Sequence, residues 1–418
     1  MRETEYCPKP RRQCYGGKSL PESYHTETAT GYQFRRVNDL HSFFDSNDGV
    51  IDSLVPANQK CLGITCAAAN PPAAREHQQY SRDLNPVRIL YSSRLSHLFL
   101  ALLCITTAYA ASAPNIALGP VGADLTVGKA DDAISRLSAT LAADPADAEA
   151  HNLLCRVYYQ EERWDDAVHE CETAVKLMPT ESGYHLWLGR AYGEKADSIH
   201  SIKAYGLAKK VRDEFERAVQ LDGGNVDALS DLGDFYTAAP GMVGGGKKKA
   251  QGVAQALEQY GPAQAHQLKG RLAEKDKNYA LAESEFKSAV EASNHAADAW
   301  MSLASYYARR RQWDQMLGAL HAGIDADAKG AKPHGPALVD AASLLSRNHQ
   351  EPQLAIQLLK LYLDSPNQSA DSPAFQVHSQ LSRLFEQQGD HEGAMLQIEA
   401  AAALAHQYHP VPPRAVSQ

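Results

Sequence analysis

The chain has 418 residues, of which 44% are hydrophobic, 22% charged and 8% aromatic, a composition that can bury a core and excludes a fibre or a wholly disordered chain. Its 41 basic and 50 acidic side chains leave a net charge of −9, which argues against a general nucleic-acid binder, whose surface must neutralise phosphates. The length suits roughly two to four ordinary domains or one elongated repeat array.

Residues 1–86 scatter Pro, Gly, Tyr, Ser and Arg without a sustained helical or alternating pattern, so they read as a disordered or non-native N-terminal extension. Cys61 and Cys66 lie in this stretch without a second ligand pair, which disfavours a zinc site. The next segment, 87–110, has the layout of a signal peptide. Arg88 and Arg94 precede the apolar run Leu98–Ile105, and small-x-small cleavage candidates follow at Ala110 and Ala113, which predicts export. The run is far short of the ~20 apolar residues that span a bilayer, so no integral membrane span is expected after cleavage. Because a signal works at an emerging N-terminus, the expectation is that translation starts near Val87 or Leu90 with the upstream residues outside the natural product, the alternative being a disordered N-terminal extension.

Beyond the signal the dominant feature is internal repetition. Ala133 in "KADDAISRLSATLAADP" and Ala167 in "RWDDAVHECETAVKLMP" are 34 residues apart, as are Pro145 and Pro179. Each block reads as two amphipathic helices with Pro or Gly at the exit. In the block from Ala148 the pattern residues are Leu154, Tyr158, Ala167, Ala174 and Pro179; the next, from Ser182, carries Leu188, Gly189 and Tyr192. Leu232, Gly233 and Tyr236 continue the series, then His266, Gly270, Tyr279, Ala282, Phe286 and Ala289, then Trp300, Leu303, Ala304, Tyr307 and Trp313. Weaker pairs surround Ala355, Leu359 and Tyr362, and Leu381, Phe385, Gly389, Ala394 and Ala401.

At these residues the chain resembles the tetratricopeptide repeat (TPR) family. The resemblance implies an all-α, right-handed superhelical solenoid of antiparallel helix pairs, about seven units over residues 114–408, with 114–147 as a terminal cap and 409–418 as a disordered tail. Lys269, where Leu is expected, and Met316, where Ala is expected, depart from the pattern. Small residues at repeat positions 8, 20 and 27 let paired helices approach, and large ones at 4, 7, 11 and 24 fill the space to the next pair. The stripe Tyr158, Tyr192, Tyr236 and Tyr307 is therefore expected in the core or in the wall of a groove.

The family's groove is lined by first-helix positions 2, 5, 9, 12 and 13. That rule places Asn152, Arg156, Tyr159, Gln160, Arg190, Gln267 and Arg271 in a partly basic wall suited to an acidic or C-terminal peptide segment of a protein partner. Cys155 and Cys171 occupy positions 8 and 24 of one repeat, facing each other across the hairpin; in an oxidising compartment they either form a disulfide or stay as buried thiols.

Catalytic chemistry finds little support. The loop 241–249 nearly spells a phosphate-cradling motif through Gly241, Gly246 and Lys247, but Lys248 stands where Ser or Thr would hold magnesium, and a helix rather than a strand precedes it. The 17 histidines show no metal-ligand spacing, and His151, His185, His266 and His378 fall at packing position 4. No nucleophile motif stands out. The expected protein is thus a non-enzymatic interaction scaffold, periplasmic or secreted, without metal or cofactor. A nucleotide-binding enzyme built on the Gly-rich Lys loop and a cytosolic adaptor whose signal is never cleaved are the alternatives. Residues 111–418 carry 29 basic and 40 acidic side chains, a net of −11, a surface that discourages nucleic acid and anionic membranes.

Overall fold

A computed structural model describes residues 119–199 and 203–409, all within one compact unit, Tyr32–Gln418. The N-terminal extension, the signal segment 87–110 and residues 410–418 lie outside the described residues. Among the described residues there are sixteen α-helices and no strand. In chain order they are α1 (Gly119–Thr126), α2 (Ala130–Ala143), α3 (Ala148–Gln160), α4 (Trp164–Leu177), α5 (Ser182–Ser198), α6 (Lys203–Leu221), α7 (Val226–Ala238) and α8 (Lys247–Tyr260). There follow α9 (Pro262–Lys275), α10 (Tyr279–Ala292), α11 (Ala297–Arg309), α12 (Trp313–Lys329), α13 (Pro336–Arg347), α14 (Pro352–Leu363), α15 (Ala374–Gln387) and α16 (His391–Leu404).

The sequence sets these boundaries locally. Asp147, Asn225 and Asp390 accept hydrogen bonds from the backbone N–H three residues on, at 2.9–3.0 Å, each satisfying a donor that the first helical turn leaves unpaired. Pro262, Pro336 and Pro352 open α9, α13 and α14, where the missing proline N–H is not needed. The helices pair in sequence, giving eight pairs rather than about seven, because α1 supplies the expected cap with a short first helix of its own.

Small residues let the pairs approach. A Cβ on Gly189 would stand 2.5 Å from the ring of Phe215, and one on Gly233 would stand 2.4 Å from Leu268. Phe215 and Leu268 are fully buried, so each glycine is a socket for a large side chain of the neighbouring helix. The two departures from the pattern are accommodated differently. Met316 is fully buried, its flexible thioether filling the space that alanine leaves. Lys269 lies at the surface and reaches Glu258 at 2.6 Å, while Leu268 beside it enters the core.

Three of the four tyrosines of the stripe pack in the core between pairs, while Tyr158 is half-buried with the Arg163 guanidinium over its ring. Tyr192, Tyr236 and Tyr307 are buried. Their hydroxyls donate to Glu172, to Glu216 at 2.6 Å and to Glu283 at 2.9 Å, each on the second helix of the preceding pair.

Cys155 in α3 and Cys171 in α4 are joined in a disulfide with Cα atoms 5.3 Å apart, closing a loop of 16 residues. A loop of that size stabilises by about 3 kcal/mol through the entropy it removes from the unfolded chain. Alkylation of denatured, unreduced protein is expected to leave this pair unmodified. Two extra reactive thiols mapping to 155 and 171 would show the bridge to be absent.

The last pair packs on the first pairs. Phe375 and Tyr408 are buried with ring centroids 4.8 Å apart, in one cluster with Val121, Leu125, Leu137, Leu154 and Val157. Repeat arrays ordinarily need polar caps because each unit contacts only its neighbours; here the two ends cover each other's apolar faces.

Candidate functional site

Positions 5, 9, 12 and 13 of the first helices are one to two turns apart, so on each helix they share one face. On α3 and α5 that face carries a stack of aromatic and cationic groups. The Arg156 guanidinium lies 4.8 Å from the Trp187 ring centroid and the Arg190 guanidinium 4.9 Å, so one indole contacts two cations. Tyr159 meets the Trp187 ring edge-on at 5.6 Å and the Trp164 ring at 5.5 Å, and its hydroxyl donates to the buried Glu194 at 3.3 Å. Burial and the neighbouring Glu194 carboxylate push the Tyr159 phenol well above its ordinary pKa.

The expected partly basic wall is corrected at Arg190 and Arg271. Arg190 Nε donates to Asp231 at 2.6 Å, with Asp227 at 4.0 Å, and Arg271 pairs with Asp234 at 2.6 Å. Asp231 and Asp234 are 2% and 3% exposed, so these are largely desolvated ion pairs that hold adjoining helices together. Burial lowers the Arg190 pKa, but the charge and hydrogen bond of Asp231 outweigh it and the net shift is upward.

Arg156 is different. Among the described residues it has no ion-pair partner, and its Nε finds no acceptor. Burial lowers its pKa, Asp371 opposes that shift and Arg190 adds to it, for a net depression. The repeat array therefore neutralises two of its three position-9 arginines and leaves the first without a carboxylate in contact.

The other expected wall residues are spread out. Asn152 and Gln267 are buried, 8% and 2% exposed, and Asn152 Oδ1 lacks a partner among the described residues. Gln160 sits where the ends of the array meet, its Nε2 donating to the Ala370 carbonyl at 2.6 Å. The structure thus brings Arg156, Tyr159 and Arg190 together, places Gln160 at the edge of that group, and leaves Gln267 and Arg271 in a later pair. Trp187, Asp231 and Glu194, which complete the arrangement, are not singled out by the sequence pattern. Trp187 lies three residues before Arg190 and is the one whose spacing offered a signal.

The position-4 histidines act as clips within pairs. Nδ1 of His151, His185 and His266 lies 2.6, 2.6 and 2.7 Å from Glu170, Glu214 and Glu285, and that of His378 lies 2.7 Å from Gln397. In every case the partner is on the second helix of the same pair. His185 Nε2 also faces the Pro179 carbonyl at 3.0 Å, so both ring nitrogens meet acceptors and the imidazolium is favoured. Burial lowers the His185 pKa and Arg217 opposes protonation, but Glu214 and the Pro179 carbonyl raise it above the usual 6.5 on balance. A raised folded-state pKa gives stability that is complete below the unfolded pKa and fades as pH climbs through the folded one. The stability gap between wild type and His185→Gln, read from urea midpoints, is expected to narrow from pH 6 to pH 8; a gap that is constant or widens contradicts the imidazolium clip.

The Gly-rich loop engages two of its lysines within the chain. It follows α7 and includes a short 3-10 turn, Gly241–Val243. Lys247 Nζ donates to Asp276 at 2.6 Å, and Lys249 Nζ to the Gly244 carbonyl at 3.1 Å. A Cβ on Gly245 would overlap the Ala239 carbonyl at 1.8 Å, so this glycine serves close backbone packing. A separate cavity of about 390 Å³ is lined by Val290, Trp300, Leu303 and Tyr307, none of them among the seven residues expected to hold a peptide. Among the described residues no helix is long and apolar enough to cross a membrane.

Among solved structures, yeast Tom70 is 19% identical with a TM-score of 0.43 over 66% of this chain and 55% of that one, so the chain spans about half of the Tom70 chain. MamA is 24% identical, TM-score 0.34, over 42% of this chain and 94% of that one. A tetratricopeptide repeat protein from Parabacteroides merdae is 13% identical, TM-score 0.37, over 68% and 97%. No curated protein matches the sequence. The tetratricopeptide repeat model matches residues 125–191, from the end of α1 into α5, and the helix pairs after it repeat the same small-to-large packing. Residues 125–191 thus form a tetratricopeptide repeat region.

Proposed function

We propose that this protein is a non-catalytic scaffold that binds a protein partner through the first-helix face of α3 and α5, taking an acidic side chain or terminal carboxylate at Arg156. The observation that carries the reading is the contrast at position 9. Arg190 and Arg271 each have a carboxylate at 2.6 Å, whereas Arg156 has an indole platform and no ion pair among the described residues. A guanidinium fork held on an aromatic face is pre-organised to accept a carboxylate through two parallel N–H donors, the stronger and more directional kind of hydrogen bond. Tyr159 and Trp187 add apolar contact area of the sort that anchors interfaces.

The same reading places the protein outside the cytoplasm, in the periplasm or secreted. The basic and apolar layout of 87–110 supports it, as does a disulfide between Cys155 and Cys171, a bond that persists in oxidising compartments.

Affinity capture from an envelope extract with wild type and Arg156→Glu tests the binding reading. The wild type is expected to retain a partner that the variant loses by at least about tenfold, since like charges then face each other across the contact, with the melting temperature unchanged. Equal retention by the two proteins refutes it.

A further inference from the structure

The seam between the two ends of the array lies on the face where the partner is expected. Gln160 ends α3, one turn beyond Arg156. Its side chain donates to the Ala370 carbonyl at 2.6 Å, and the Gln376 side chain donates back to the Gln160 carbonyl at 2.6 Å. These reciprocal bonds clasp the α14–α15 loop onto the end of α3. Behind the clasp Phe375 is fully buried among residues of the first pairs. Gly128, with φ +70°, lets the chain pass so close that a Cβ there would stand 2.4 Å from the Ala374 nitrogen. At the far edge His406 Nδ1 meets Asp131 at 2.5 Å, both groups at the surface.

The loop brings an acid with it. Asp371 is exposed, lies between the two clasp residues in sequence, and acts electrostatically on Arg156 without pairing with it. The segment Ala370–Gln376 therefore has the features proposed for an external ligand: a carboxylate near Arg156, an aromatic anchor at Phe375, and backbone bonded to the wall residue Gln160.

We propose that the loop before α15 is a tethered occupant of the binding face, and that the seam must open there for an external partner to reach Arg156. The inference rests on the reading of that face given above. Occupancy by a covalently linked segment competes at high effective concentration, and a partner binds with an apparent affinity reduced by the fraction of molecules in which the seam is closed.

The test uses the full chain and a fluorescent peptide copying residues 366–380. Two variants open the seam from the loop side and leave the receiving face intact: Phe375→Ala, which removes the buried anchor, and Asp371→Ala with Gln376→Ala, which removes the acid and one bond of the clasp. Amides in 157–162 and 371–378 are expected to exchange with deuterium at least about tenfold faster in the variants, with α9–α12 unchanged, and the peptide is expected to bind the variants at least about tenfold more tightly than wild type. Seam amides as protected in both variants as in wild type, or opened variants that bind the peptide no better, overturn the proposal. A peptide carrying Asp371→Ala that binds the opened chain as well as the parent peptide keeps the tethered occupant and removes the acid-recognition role of Arg156, so the two ideas fail separately.

Discussion

Replacing Asp231 with alanine is expected to lower the free energy of unfolding by about 3 kcal/mol, because it leaves the Arg190 cation in a poorly solvated position without its counter-charge. Asp231 is 2% exposed and receives the Arg190 Nε donor at 2.6 Å. Two features keep the effect at the lower end of the range for buried pairs: the Arg190 side chain retains 18% exposure, and Asp227 stands 4.0 Å away to take part of the charge. The double variant Arg190→Met with Asp231→Leu is expected to recover most of the loss, since it removes both desolvated charges and keeps the volume. Urea unfolding of wild type, single and double variants completes the cycle. A single variant that costs less than about 1 kcal/mol would place Arg190 in solvent and revive the open basic wall.

Phe215→Ala is expected to cost about 3–5 kcal/mol, the usual consequence of emptying a fully buried aromatic site. The ring lies against Gly189, near enough that a Cβ there would stand 2.5 Å from it, and both residues sit in the core shared by α5 and α6. The reciprocal change makes the test specific. In wild type, Gly189→Ala overpacks the socket and is expected to cost about 1–3 kcal/mol, whereas in the Phe215→Leu background the added methyl meets a smaller neighbour and the cost is expected to fall by at least half. Additive effects would mean that the two side chains do not share the space the structure gives them.

The helix pairs were readable because their cause is local and periodic. A spacing of 34 between Pro145 and Pro179 survives any arrangement of the pairs, and positions 8 and 24 put Cys155 and Cys171 opposite each other wherever such a hairpin forms. The period puts histidine at position 4 of four pairs but does not reveal its acceptor on the second helix, a glutamate in three pairs and the Gln397 amide in the fourth. What escaped depends on breaks in that period. Arg190 and Asp231 are 41 residues apart, because the longer α5 and α6 put Gly233 44 residues after its counterpart Gly189, and Asp231 lies two residues before Gly233. A search at the repeat length steps past this pair, and Arg190 then looks like a free surface cation. The seam left still less trace: Gln160, Ala370 and Gln376 are ordinary polar and small residues, and nothing near any of them marks its partner.

The clasp at Gln160 joins groups 210 and 216 residues apart in the chain, and this has a consequence for synthesis. At ribosomal rates of roughly 5–20 residues per second, α3 waits about 10–40 s for its covering segment to be made. Throughout that interval the apolar surface destined for Phe375 stays open to chaperones and to other nascent copies.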